Sequence, residues 1–125
     1  MLLNKFVLTA VLVASTLVTP GLEVRPVIAH HGWSEYNNQQ TLNLTGVIRS
    51  INYANPHVVI QVETSDKKVW QAILAPPSRM QSRGLPQKDL AVGGQVKLVG
   101  YPHRSQANEI RAERIIIGDR TVELR

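Results

Sequence analysis

The sequence predicts an all-β domain with one short helix, a small OB-like barrel of five or six antiparallel strands that follows an N-terminal export signal. Three observations predict it. Apolar residues alternate with polar ones over short runs from residue 41 onward. Turn formers punctuate those runs at Asn55-Pro56, Ser65-Asp66-Lys67, Val92-Gly93-Gly94 and Gly118-Asp119. A single helix-compatible stretch lies between the third and fourth runs, which is the order of a five-stranded Greek-key barrel of the OB type.

Taken in order, Met1 to Lys5 gives a short cationic start, and Phe6 to Val18 is an apolar run that Pro20-Gly21 brings to an end. A membrane span needs about 20 apolar residues, so this run has the length of a secretory signal's hydrophobic core. Val27 and Ala29 carry the small residues of a cleavage site. The expected organisation is a signal peptide over 1–29, an N-terminal arm over 30–40 and a barrel over 41–125. Export to the bacterial periplasm or the medium follows, with no stable membrane anchor after cleavage.

In the arm, Trp33 and Tyr36 are expected to anchor on the domain. Leu42, Leu44, Gly46 and Ile48 then alternate with polar neighbours until the phase slips to Ile51 and Tyr53, which predicts a long first strand bulged near Arg49-Ser50. His57 to Thr64 forms the second strand, with Val58, Ile60 and Val62 on one face and His57 on the other. Lys68 to Ala75 is the third. Pro76-Pro77-Ser78 opens a helix that runs to Arg83 and stops at Gly84, with Met80 and Leu85 inward and Arg79 and Arg83 on a shared solvated face. The remaining strands are Gln95 to Tyr101, Glu109 to Ile117 and, after a Gly-Asp hairpin turn, Thr121 to Leu124.

Composition removes several chemistries. The chain has 125 residues and no cysteine, which excludes disulfides, thiolate metal sites and cysteine nucleophiles. Its net charge of +5 is carried by scattered residues without a basic run, so nucleic acid is not an expected partner. Gly-x-Ser-x-Gly, phosphate loops and dinucleotide fingerprints are absent, and no catalytic residue is assigned. Trp70, Tyr53 and Tyr101 are read as core aromatics ahead of stacking platforms.

Four histidines remain as the chemical resource: His30, His31, His57 and His103. Cleavage after Ala29 makes His30 the first residue, able to chelate through its α-amine and imidazole, and one further imidazole completes a three-nitrogen site suited to copper(II). Cleavage before Ala29 makes His31 the third residue, and the amine, two amide nitrogens and an imidazole then form a square plane. In an OB barrel the loops joining strands one to two and four to five share one edge. His57 and His103 sit on those two loops, and the arm is long enough to bring the terminus to them. The expectation is a small binding protein that takes a copper ion through His30, His31, His57 and His103, or else a metal-free module for a peptide, glycan or partner protein.

The combination Ala29-His30-His31, Leu44-Thr45-Gly46-Val47-Ile48, Asn55-Pro56-His57 and Val92-Gly93-Gly94-Gln95-Val96 before Gly100-Tyr101 resembles a family of small exported bacterial proteins, domain of unknown function 6152. Gly32-Trp33 stands where that family more often has Ser-Phe, and the Pro102-His103 loop departs from its pattern. The resemblance implies export and a β domain and supplies no activity.

Overall fold

The computed structural model describes residues 32–125. Over these residues six strands form one sheet: β1 (Leu42–Asn52), β2 (Val59–Thr64), β3 (Val69–Ile73), β4 (Gln95–Pro102), β5 (Glu109–Ile117) and β6 (Arg120–Glu123), with the helix α1 (Pro77–Ser82) between β3 and β4. The strand order is β3-β2-β1-β4-β5-β6, and an additional β3–β5 pairing closes the first five into a barrel. β6 lies outside the ring on β5.

The expected all-antiparallel barrel is corrected at one point, because β3 and β5 run parallel. Direction can alternate all the way round a ring only if the number of strands is even. A closed ring of five must place two neighbours in the same direction. That pair is also the shortest ladder, limited to Gln71–Glu109, Ala72–Ile110 and Ile73–Arg111.

The bend of β1 falls where the phase slip predicts it. Ile48 pairs with Val62 and Ser50 with Gln61, so Arg49 is the extra residue of a bulge. The first half of β1 pairs with β4 and the second with β2, which lets one strand serve both walls. Inward positions are filled by Ile48, Ile60, Val62, Ala72, Leu98, Ile110 and Ile115, all at most 1% exposed. Burying each large aliphatic contributes about 1.5–3 kcal/mol, so this row supplies most of the drive to close the barrel.

A six-residue helix has no stability of its own in water. α1 is held because Met80 and Leu85 are fully buried in the core. Its end is a Schellman motif: Leu85 N–H donates to Met80 O at 2.8 Å and Gly84 N–H to Gln81 O at 3.0 Å, with Gly84 at φ +87°. The solvated face expected for Arg79 and Arg83 carries a structural duty as well. Arg79 donates to Leu124 O, and Arg83 donates to the carbonyls of Glu123 and Arg125, tying the helix to the end of β6 and the two residues after it. Among the described residues no helix is long and apolar enough to cross a membrane.

Candidate functional site

The segment before β1 is docked on the loop between β4 and β5. Trp33–Glu35 forms a single 3-10 turn. Tyr36 then bridges to His103, Asn37 N–H donates to Pro102 O at 2.9 Å, and Arg104 N–H donates to Glu35 O at 2.9 Å. The Arg104 side chain adds a bond from Nε to Ser34 O. Tyr36 is 1% exposed, and its hydroxyl donates to Glu109 Oε2 at 2.7 Å. Burial, and then the Glu109 carboxylate, push the Tyr36 phenol well above its ordinary value.

His103 fastens this junction through both ring nitrogens. Nδ1 accepts the backbone N–H groups of Ser105 and Gln106, at 3.0 and 2.9 Å. With Nδ1 an acceptor, Nε2 carries the proton and donates to Glu35 Oε2 at 3.2 Å, with Glu109 Oε2 at 3.8 Å. Tyr36 meets the imidazole edge-on at 5.1 Å. Replacing His103 with alanine is expected to leave the barrel folded and to cost about 1–3 kcal/mol, the usual cost of orphaned partners. Hydrogen exchange at 34–37 and 104–106 should accelerate, and unchanged exchange there would contradict the clamp.

A cleft of about 1020 Å³ opens beside the junction. One wall is the β1–β2 loop with Asn55, Pro56 and His57, and the opposite wall is the β4–β5 loop from His103 to Gln106. The floor consists of outward-facing residues of β2, β3 and β5: Val59, Gln71, Ile73, Glu109 and Arg111. His57 and His103, the two histidines that sequence position assigns to one edge, thus line the same cavity. His30 and His31 lie outside the described residues, as does the expected signal peptide over 1–29. Among the described residues no three His, Cys, Asp or Glu side chains form a group able to hold a metal ion.

Nothing in the sequence singles out Arg111, yet it is central here. It is a charged residue only 6% exposed. Its Nη2 lies 3.3 Å from His57 Nε2. A guanidinium has donors only, so His57 Nε2 is the acceptor and carries no proton. The same guanidinium lies over the Trp33 ring at 4.5 Å, and Arg125 also lies over that ring at 4.5 Å. Tyr101 meets Trp33 at a steep angle, with centroids 6.1 Å apart. Burial lowers the tendency of Arg111 to hold its proton, with Arg79 and Arg125 pushing the same way and Tyr36 opposing. On β5, Glu109 and Arg111 alternate with inward Ile110 and Ala112, which marks Arg111 as outward. Its burial comes from the arm laid across it, and strand periodicity carries no record of that.

A five-strand barrel with a helix packed into its core and a cleft between its β1–β2 and β4–β5 loops defines a small OB-type domain. The chain belongs to the family of unknown function DUF6152, whose pattern matches residues 22–111. No curated protein matches it. Among solved structures it is similar to a chain of the S. pombe Stn1-Ten1 complex, with TM-score 0.52 and 15% identity over 64% of this chain and 59% of that one. It is also similar to a chain of a complex of TiaS with transfer RNA and ATP, with TM-score 0.49 and 18% identity over 72% of this chain and 20% of that one. The chain therefore spans less than two thirds of either of those chains, and the likeness is one of fold alone.

Proposed function

We propose that this is an exported binding protein that takes a transition-metal ion, copper, in the loop-edge cleft through histidines at its mature N terminus and His57. The observation that supports this reading is the path of the arm. Trp33 stacks on Arg111, and Arg111 bonds to His57, so the chain enters the folded domain at the cleft. In the sequence His31 stands two positions before Trp33 and His30 three, and two residues span at most about 7 Å. His57 Nε2 is unprotonated and accepts the Arg111 hydrogen bond, so a metal would coordinate there only by displacing Arg111. With the leader removed after Ala29, the α-amine and imidazole of His30 complete a nitrogen set of the kind copper(II) favours.

Intact mass of protein recovered from the periplasm fixes the first residue. A start well before Ala29 removes the α-amine ligand and most of the case. Copper titration of the mature protein, followed by calorimetry and electron paramagnetic resonance, is then compared with His30→Ala and His57→Ala. Each variant should lose at least the roughly 10–100-fold that even outer-shell changes cost. Equal affinity in all three would refute the site.

The size of the cleft supports a second reading. About 1020 Å³ exceeds what an ion needs and matches the range of organic ligand sites. A metal-free module would ignore copper and show shifts of Gln71, Asn55 and Gln106 amide signals on addition of an oligosaccharide or peptide.

A further inference from the structure

We propose that the cleft takes a short extended peptide that carries an aliphatic side chain and, two positions away along its chain, a lysine. The inference rests on the metal-free reading above and names its ligand class. Strand register lays the floor out as two rows. Val59 pairs with Ile73 and Ile73 with Arg111, which makes one row across β2, β3 and β5, and Gln71 pairs with Glu109 in the next. Both rows line the cavity. Val59 and Ile73 are half-buried, so the first row is an apolar seat, whereas the second ends in a carboxylate. Rows two residues apart on a strand lie about 7 Å from one another.

An extended peptide has the same repeat, because its side chains i and i+2 point to one side about 7 Å apart. Laid along β3, it sets one side chain on Val59 and Ile73 and the next but one against Gln71 and Glu109. Charge fixes which is which. Glu35 and Glu109 converge on His103 Nε2, at 3.2 and 3.8 Å, so a cation is drawn to the second row. The Arg111 guanidinium at the end of the first row repels it there. Tyr36 takes one bond at Glu109 Oε2, and a carboxylate accepts about four. The walls add exposed primary amides, Asn55 on one side and Gln106 on the other, each with the donor and the acceptor that match a peptide unit. A saccharide fits this lining less well, since its weakly positive C–H groups sit best on the negative face of an open aromatic ring. Among the described residues of the lining Tyr36 is the one tyrosine or tryptophan, and it is 1% exposed.

The test titrates isotope-labelled protein, recovered from the periplasm, with acetyl-Ala-Val-Ala-Lys-Ala-amide and with its Lys-Ala-Val counterpart, followed by NMR. One of the two orders should shift the signals of Val59, Gln71, Ile73 and Asn55. Placing valine and lysine side by side turns them to opposite faces, and replacing lysine with norleucine removes the charge. Each control should bind at least about 10-fold more weakly, the usual effect of losing a charge-assisted hydrogen bond. In Glu109→Gln the lysine and norleucine peptides should bind alike, and a lysine preference that survives there overturns the inference. Should Glu109→Gln fail to fold, the spacing and norleucine controls on the wild type carry the test. Peptide binding at the cleft that ignores the spacing or the charge overturns the inference and leaves the metal-free reading standing. Binding of chitotetraose at the cleft, with neither peptide bound, does the same. Protein that takes neither class of ligand there overturns both.

Discussion

Replacing Gly100 by alanine is expected to lower the melting temperature by roughly 12–24 °C, the equivalent of about 3 kcal/mol in a domain of this size. Gly100 lies at the register shift of β4, where it pairs with Ala112. A Cβ there would collide with the carbonyl oxygen of Arg111 and lie 2.8 Å from both Ala112 Cα and the Arg111 carbonyl carbon. These are backbone atoms of the neighbouring strand, so no side chain can swing aside, and β5 must shift as a unit. That shift would also move Arg111 under the arm. Gly32→Ala is the control, since the nearest atom to its new methyl is Ser34 Oγ at 3.8 Å. Melts followed by circular dichroism should separate the two variants, and coincident curves would contradict the close approach of β4 and β5.

Tyr36→Ala is expected to be nearly as damaging, at about 3 kcal/mol or more, because it empties a fully buried aromatic site and unseats the arm. Tyr36→Phe separates packing from hydrogen bonding. It keeps the ring and removes only the bond to Glu109, so it should cost about 1–3 kcal/mol. The phenol also makes a prediction about pH. Its proton is held more tightly in the folded protein than at the ordinary value of about 10, so the unfolded chain releases it first as pH rises. The contribution is fully present below about pH 10 and is lost progressively above it. Denaturant melts from about pH 8 to 11 should therefore show a decline for the wild type that is shallower in Tyr36→Phe. Parallel slopes for the two proteins would remove Tyr36 as the source.

The barrel was largely legible in the sequence because its signals are local. The phase slip after Ile48 located the bulge, Gly84 located the helix stop, and Gly118 at positive φ, in the first position of a two-residue turn, located the last hairpin. The parallel β3–β5 pair was not legible residue by residue. It follows from the parity of a closed ring, and no side chain encodes it. The meeting of His57 and His103 at one cleft was readable from loop order in the fold, without any contact being known. Arg111, Glu35 and Glu109 were missed for a shared reason. Their roles depend on where residues 32–37 come to rest, and the pairing of Tyr36 with His103 spans 67 positions of chain with no periodicity to announce it. The tautomer of His103 was equally hidden, since it is set by the backbone of the loop that follows.

The odd ring has one more consequence. Gln71, Ile73, Glu109 and Arg111 are the outward partners of the parallel ladder, and they are also the floor of the cleft. The barrel is therefore stitched most lightly directly beneath the place where a ligand would sit. The arm crosses that seam, with Tyr36 fastened to Glu109 and Trp33 to Arg111, and works as a suture over it. A ligand that gripped β3 and β5 together would reinforce the same three-pair seam from outside.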